Sequence, residues 1–340
     1  MHETRKGGTK VEAATGVEKL HVLIDEMAVS IQQHTDVTYL EALAEAGENV
    51  FQHSIVQSLP EEETERLREK LDQELPEEMK REEIRKAFQL AVIKGMKEAV
   101  QPHHAMTPDA VAMFMGYIVE KLTSKRETLA LLDPAAGTAN LLSAVLNQVS
   151  KETAAYGAEV DETLLKVAYV LSNLQEHDVE LFHQDSIEQL APPEADVVVS
   201  DLPVGYYPKD DVAASFRLQA QEGHSYVHHL IIEKCMTQVK PGGFFVLLIP
   251  NYMFESDQAD ALHTYIKDEA VILGLLQLPS SMFKNTQAAK SIWLLQKKGP
   301  DVVQPGQALL AELPSFNNQD ALLDMMKQME NWFKEEGFTS

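Results

Sequence analysis

The sequence is poor in cysteine and in long apolar runs. Cys235 is the one cysteine among 340 residues, which excludes an internal disulfide and a cysteine-based zinc cluster. We expect it to be a buried helix residue. No apolar run approaches the roughly 18 residues that a membrane span needs, and the first residues lead into no apolar signal core. These absences predict a cytoplasmic protein with no membrane partner.

Basic residues are also scarce. The chain contains 29 Lys and Arg against 53 Asp and Glu, which gives a formal net charge of −24. Because nucleic-acid binding depends largely on neutralisation of phosphates by Lys and Arg, this composition provides no general affinity for DNA. Four lysines in the C-terminal third could form a local basic patch, but we expect them to be solvated charges at a sheet edge: Lys284, Lys290, Lys297 and Lys298.

The N-terminal third is predicted to be helical. Residues 1–16 show no apolar periodicity and are expected to form a flexible tail. In residues 17–101 apolar side chains recur at helical spacing without strand alternation, which predicts a domain of four helices. Thr38 and Glu41 have the spacing of a capping box, so we expect the second helix to begin there.

Residues 102–300 have a different pattern, in which apolar β-rich runs alternate with helical stretches. This alternation predicts an α/β fold with a doubly wound sheet, whose ligands bind at the carboxyl ends of the strands. Seven strands are expected, at 128–132, 153–159, 179–183, 195–200, 243–249, 270–278 and 291–296.

Residues 301–340 are expected to form a C-terminal extension with one amphipathic helix, from about residue 320 to residue 333. Its Met-rich apolar stripe suits packing on the core, and such adaptable faces also bind partner proteins. The sequence leaves both interpretations of the stripe open, packing on the core and binding of a partner.

The segment from Leu131 to Leu142 is the most informative stretch, because it combines a strand end, a turn of small residues and a helix start. Small residues at 135–139 allow a ligand to approach the backbone, and the helix start offers unpaired N–H groups. Asp133 at the strand end suits a cationic or hydroxyl-bearing ligand. The three-glycine dinucleotide fingerprint is missing, which disfavours a dehydrogenase. A tight turn that serves packing alone is the alternative.

Four of these residues match the cofactor motif Asp-Pro-x-x-Gly-Thr/Ser-Gly, namely Asp133, Pro134, Gly137 and Thr138. The sequence thereby resembles the adenine-specific S-adenosylmethionine-dependent methyltransferases, although Ala139 replaces the last glycine. The chain is also similar to the small bacterial YtxK-type proteins, which place a helical region before such a domain. The resemblance covers about residues 102–298 and implies a Rossmann-like methyltransferase sheet with S-adenosylmethionine as cofactor.

The resemblance also implies roles for individual residues. Glu159 would hold the ribose hydroxyls, Asp185 would accept a hydrogen bond from the adenine amino group, and Thr107 would bind the methionine carboxylate. Asp185 could equally cap a following helix, and Thr107 precedes an ordinary proline-containing helix start. The remaining residues expected at the cofactor are Pro134, Ala135, Asn140 and Ser186.

The segment from Ser200 to Pro208 resembles the acceptor motif Asn/Asp/Ser-Pro-Pro-Tyr/Phe of adenine methylases. Asp201 and Pro203 match it, whereas Leu202 and Val204 replace the first proline and the aromatic residue. In the family the first side chain and a proline-region carbonyl accept hydrogen bonds from the target amine, while the aromatic ring stacks on the flipped base. Tyr206, or its neighbour Tyr207, could supply a displaced stacking ring, so we expect Asp201, Pro203 and Tyr206 at the acceptor.

No metal site is predicted. His224 and His228 are spaced i, i+4 on one expected helix, which also carries His229. No carboxylate stands at matching spacing, so we interpret them as surface or groove histidines.

Three functions remain open from the sequence. The favoured one is a methyltransferase acting on an exocyclic or amide nitrogen, with adenine in DNA as the acceptor that the resemblance implies. The second is a cofactor-binding sensor or adaptor without activity, acting on a protein partner through the helical domain or the C-terminal helix. The third is a methyltransferase of RNA or of a protein amide, for which the acidic composition is a smaller handicap.

Overall fold

The computed structural model describes residues 15–98 and 106–339. Within these ranges the chain forms eleven α-helices and eight β-strands. The helices are α1 (Gly16–His34), α2 (Tyr39–Gln52), α3 (Glu61–Glu74), α4 (Arg81–Glu98), α5 (Asp109–Leu122), α6 (Asn140–Leu146), α7 (Glu162–Leu174), α8 (Asp210–Ala213), α9 (Val227–Gln238), α10 (Ala259–Glu269) and α11 (Gln319–Glu335). The strands are β1 (Thr128–Asp133), β2 (Glu152–Glu159), β3 (Val179–His183), β4 (Ala195–Asp201), β5 (Val239–Pro250), β6 (Ala270–Gln277), β7 (Lys290–Lys297) and β8 (Leu309–Glu312).

Helices α1 to α4 form the N-terminal helical region, which confirms its predicted all-α character. The capping box of Thr38 and Glu41 is present at the start of α2. An equivalent box of Thr15 and Glu18 begins α1, so Thr15 and Gly16 belong to this helix although they were expected in the tail. Residues 1–14, which include the rest of that tail, and the expected boundary near residue 101 lie outside the described residues.

The strands form one sheet with the order β3-β2-β1-β4-β5-β7-β6-β8, in which β7 runs antiparallel to both of its neighbours. The α/β class and the doubly wound sheet are confirmed. The strand count of seven was wrong for the described chain, because β8 pairs in parallel with β6 inside the C-terminal extension. This edge strand, with the sequence Leu-Leu-Ala-Glu, is only four residues long, and an apolar run that short does not distinguish a strand from a helix.

Helix α11 packs on the sheet core. Met329, Trp332 and Phe333 are buried in the same cluster as residues of α5 and β5, and the rest of the apolar stripe contacts that cluster. The stripe is therefore covered by the chain's own core. Cys235 is buried in α9, as expected. No helix among the described residues is long and apolar enough to cross a membrane.

Helix α7 connects the helical region to the sheet. Leu165 and Ala168 on one side of α7 belong to the sheet core. Residues on its other side, Leu164, Val167, Val170 and Leu171, complete the core of the helical bundle. The contact is tight at Gly47 of α2, where an added Cβ would lie 2.3 Å from Cγ1 of Val170 and 2.8 Å from Cζ of Phe88.

We predict that Gly47→Ala destabilises the protein although alanine favours helices. The added methyl group overlaps Val170 and Phe88, and such overpacking outweighs the gain in helix propensity, for a net loss of about 1–2 kcal/mol. Chemical denaturation measures the free energy of unfolding, with Gln52→Ala on the exposed surface of α2 as the control. Equal or higher stability of Gly47→Ala would show that α2 and α7 are not closely packed.

Candidate functional site

Three carboxylates gather where the strand order of the sheet reverses. Asp133, Glu159 and Asp201 are the last residues of β1, β2 and β4, which are neighbours at the centre of the sheet. Because these strands are parallel, their carboxyl ends meet at the same edge. Asp133 and Glu159 are buried. The sheet therefore concentrates negative charge at the position where doubly wound folds bind ligands.

The turn between β1 and α6 is open on its outer side. Gly137 has a φ of +56°, and a Cβ built on it would meet no described atom within 4 Å. Ala139 also has a positive φ, of 59°, which is unusual for a residue other than glycine. The turn thus leaves space beside its backbone, and its small side chains keep that space free.

Glu159 holds this turn in place. Its Oε2 accepts a hydrogen bond of 2.7 Å from the Gly137 N–H. Its Oε1 accepts from the N–H groups of Val160 and Asp161, each at 2.9 Å. A carboxylate oxygen can accept two hydrogen bonds, so Oε2 retains acceptor capacity toward the space at Gly137.

Asp133 is 1% exposed and accepts two hydrogen bonds on Oδ1, from the Ser200 hydroxyl at 2.7 Å and from the Ala135 N–H at 3.1 Å. Burial raises the pKa of Asp133 to about 7, and the nearby charges of Glu159 and Asp201 add to this rise. A positive charge beside Asp133 would lower that pKa again. The site is consequently suited to a cationic ligand.

The loop after β3 is attached to the same turn. Ser186 donates a hydrogen bond of 2.6 Å from its hydroxyl to the Pro134 carbonyl. Asp185 accepts from the Tyr207 hydroxyl at 2.8 Å on Oδ2 and from the Ile187 N–H at 3.0 Å on Oδ1. The residues after Asp185 form a turn and no helix, so the helix-capping interpretation of Asp185 was wrong.

Asp201 has partners on both carboxylate oxygens. The Thr107 hydroxyl donates to Oδ2 at 2.9 Å, and the Lys290 ammonium lies 2.5 Å from Oδ1. Lys290 was expected to be a solvated edge charge, and this was wrong, since its side chain at the start of β7 reaches across β5 to the end of β4. The ion pair joins two strands that are separated by 89 positions in the chain.

Thr107 is connected in turn to the start of α6. The Asn140 side-chain amide donates to the Thr107 carbonyl at 3.5 Å, and Asn140 Oδ1 accepts from Nη1 of Arg85 at 2.9 Å. Arg85 belongs to α4 of the helical region. Thr138, in the same turn, is buried.

The segment after β4 turns sharply away from the sheet. Leu202 is buried, and its N–H donates to the Leu248 carbonyl at 3.0 Å. The leucine at this position therefore fills the core, and proline could not donate that bond. Pro203 is half-buried, whereas Val204 is 37% exposed. Gly205, with a φ of +117°, then reverses the chain.

Tyr206 is the outer ring of an aromatic stack. It is 59% exposed, and its ring lies 4.9 Å from that of Tyr226 with an interplanar angle of 20°. Tyr226 stacks in turn on His228, with ring centroids 5.1 Å apart. Tyr207 is buried and bonded to Asp185, so Tyr206 is the tyrosine of this loop that offers a free ring face.

The three histidines do not share a helix. His224 precedes α9, is exposed, and has its Nδ1 2.9 Å from Asp210 Oδ1. His228 and His229 are buried, so their interpretation as surface or groove residues was wrong. Their ring nitrogens have no hydrogen-bond partner of standard geometry among the described residues, although the Pro203 carbonyl faces His228. Burial lowers the pKa of His228 to about 3 and that of His229 to about 4, so both rings are neutral.

Hydrogen bonds bring together most of the residues that the sequence singled out. No such bond is described for Thr138 or Pro203, and the Tyr206 ring contacts the 224–228 segment instead. Four residues that sequence reasoning missed take part: Arg85, Ser200, Tyr226 and Lys290. Ser200 precedes the predicted residue Asp201, so its position in the sequence could have indicated it. The other three reach the site through contacts between residues far apart in the sequence.

This topology, with acidic residues at the ends of its central strands, defines a Rossmann-like α/β fold. Comparison with known proteins specifies the class. Residues 97–336 match the N-6 DNA methylase family, and residues 18–96 match the YtxK N-terminal helical domain. The chain belongs to the N-6 DNA methylase family.

Relatives extend over nearly the whole chain. It is 48% identical over 323 residues to the uncharacterized protein YtxK of Bacillus subtilis (strain 168), a match that covers 94% of this chain and 98% of that protein. A Listeria monocytogenes structure, provisionally assigned as a class I S-adenosylmethionine-dependent methyltransferase, is 39% identical with a TM-score of 0.87, over 94% of this chain and 99% of that one. A type I restriction-modification methyltransferase subunit from Streptococcus thermophilus shares the fold, with a TM-score of 0.61 and 14% identity, over 94% and 77%.

We predict that Asp133→Asn stabilises the ligand-free protein above pH 7. The raised pKa means that folding binds a proton between about pH 4 and pH 7, so the Asp133 contribution to stability falls as the pH rises through that window. Asparagine has no charge to bury and still accepts from Ser200. The free energy of unfolding is measured for both proteins at pH 5 and pH 8. The gain of the variant over the wild type should be a few kcal/mol larger at pH 8 than at pH 5. Parallel pH profiles would refute the raised pKa.

Proposed function

We propose that the protein is an S-adenosylmethionine-dependent N-methyltransferase whose acceptor is an adenine amino group in DNA. One observation carries the proposal. Asp201 ends β4 and Pro203 follows it, next to β1 and the open Gly137 turn, so a methyl donor in that turn would lie close to an amine held by Asp201. Membership of the N-6 DNA methylase family supports the same reaction.

The residues at the turn fit the cofactor, which supplies an electrophilic methyl group on a sulfonium centre. The cofactor also carries an ammonium group, and Asp133 and Glu159 provide the negative charge that suits both cations. The free capacity of Glu159 Oε2 beside Gly137 suits a ribose hydroxyl. Asp185 would share its carboxylate between Tyr207 and the adenine amino group, and Thr107, which is bonded to Asp201, would face the methionine end.

At the acceptor, Asp201 and the Pro203 carbonyl would accept the two hydrogens of the amine. Such hydrogen bonds direct the nitrogen lone pair toward the methyl group, so catalysis is positioning and electrostatics. Asp201 Oδ1 is bonded to Lys290, and the amine therefore has to displace that ammonium or share the oxygen with it.

The ring stack offers a surface for the base. Val204 cannot stack on a flipped adenine as the family's aromatic residue does, but Tyr206 presents one exposed ring face. Its other face is supported by Tyr226 and His228, which holds the ring in one orientation. The acidic composition limits phosphate contacts, so we expect recognition to rest on the flipped base. We place this reaction in the cytoplasm.

Calorimetric titration with S-adenosylmethionine and S-adenosylhomocysteine tests the cofactor site. We expect micromolar binding, and a loss of at least about tenfold in Asp133→Ala, because a charged partner of the ligand is removed. Glu180→Gln is the matched control, since Glu180 is an exposed carboxylate on β3 of the same sheet. Failure of the wild-type protein to bind either compound at millimolar concentration would refute the proposal.

Transfer of labelled methyl groups tests the acceptor. Duplex DNA, single-stranded DNA, RNA and protein are offered in parallel, and we expect label in DNA adenine. Tyr206→Ala should lower transfer about tenfold without weakening cofactor binding, because it removes a stacking surface for the base. Phe51→Ala, on the exposed side of α2, is the aromatic control. Label in RNA or in a protein amide instead would show that the protein is a methyltransferase with a different acceptor.

The occupied carboxylate of Asp201 favours a second candidate, a cofactor-binding sensor or adaptor without transfer activity. In that case Lys290 and Thr107 hold Asp201 permanently, and the helical region transmits the state of the cofactor site to a partner. Lys290→Met and Val204→Tyr separate the candidates. Methyl transfer that is absent from the wild-type protein and from both variants, with cofactor binding intact, would establish the sensor.

A further inference from the structure

Arg85 is a charged side chain with no exposed surface. Burial of a guanidinium is costly unless its N–H groups are paired. Glu82, one turn earlier in α4, accepts from Nε at 2.8 Å and from Nη2 at 2.5 Å. Asp109 pairs with the same Nη2, and Asn140 accepts from Nη1 at 2.9 Å. Arg85 is thus held by Glu82 of its own helix, while its two terminal nitrogens reach Asn140 and Asp109 of the methyltransferase domain.

The partners of Arg85 occupy defined places in that domain. Asn140 is the first residue of α6 and ends the turn that begins at Asp133. Asp109 is the first residue of α5, two positions after Thr107. One side chain of the helical region therefore joins the starts of both helices that flank the proposed cofactor site.

The connection continues to the acceptor residue. Since Asn140 Oδ1 accepts from Arg85, its amide nitrogen must face the Thr107 carbonyl, 3.5 Å away. The Thr107 hydroxyl then donates to Asp201. Polar contacts therefore connect the helical region to the proposed acceptor residue, from Arg85 through Asn140 and Thr107 to Asp201.

We propose that Arg85 is a positioning residue of the methyltransferase site, and that the helical region is through it a structural part of this site. The inference rests on the proposed function. Arg85 orients the Asn140 amide, which places Thr107 for the cofactor and for Asp201. Without the guanidinium, the Asn140 amide is free to rotate and the start of α6 loses its connection to α4.

The experiment measures binding of S-adenosylhomocysteine by calorimetry to the full-length chain. We expect Arg85→Lys and Asn140→Ala each to weaken binding about tenfold, and the double variant to weaken it by about the same factor, because both changes interrupt one path. Arg81→Gln is the matched control. Arg81 is on the same helix and donates to the Glu176 carbonyl of the methyltransferase domain, away from the cofactor turn.

Glu82→Gln covers the case in which Arg85→Lys fails to fold. This change weakens the two hydrogen bonds that Glu82 accepts from Arg85 within the helical region. Asp109 remains as the carboxylate partner of the guanidinium. Glu82→Gln should weaken binding in the same direction, with denaturation curves recorded for every variant.

Folded Arg85→Lys or Glu82→Gln with wild-type affinity would overturn the inference while the proposed function stands. A double variant weakened about a hundredfold would do the same, since additive effects mean separate actions. Absence of binding to the wild-type protein would instead refute the proposed function, and the role of Arg85 with it.

Discussion

The packing of α7 between two cores is the constraint on which the rest of the structure depends. Its Leu165 side packs on the sheet beside β2 and β3, while its Val167 side completes the helical bundle. The close approach of Gly47 to this helix leaves little freedom for the bundle to move relative to the sheet. The position of α4, and therefore of every polar contact between the helical region and the site, follows from this apolar packing.

The second constraint is electrostatic. A sheet that ends three neighbouring strands in carboxylates creates repulsion, which the protein reduces in two ways. It keeps Asp133 partly protonated through burial, and it pairs Asp201 with Lys290. The first arrangement would respond to a nearby cation, because positive charge near Asp133 favours its ionised form. A positive charge beside these carboxylates would therefore reduce the repulsion further.

Local sequence signals were enough to predict much of this architecture. The Thr38 capping box and the strands β1 to β7 depend on neighbouring residues, and the turn at Gly137 depends on residue size. The edge strand β8 was missed because an apolar run of four residues is too short to indicate a strand. Lys290 and Arg85 were missed for another reason. A charged residue in an amphipathic segment predicts solvent exposure, and only the tertiary contacts reveal that these two are partnered.

The two constraints meet at Arg85. Apolar packing of α7 sets the place of α4, and α4 then brings a buried positive charge to the starts of α5 and α6. A buried guanidinium tolerates few alternative positions, because each one would leave a carboxylate or an N–H group unpaired. Movement of the bundle would therefore alter the turn at Gly137 and the orientation of Asp201 together. In this fold the helical region and the methyltransferase domain act as one body at the point where cofactor and acceptor would meet.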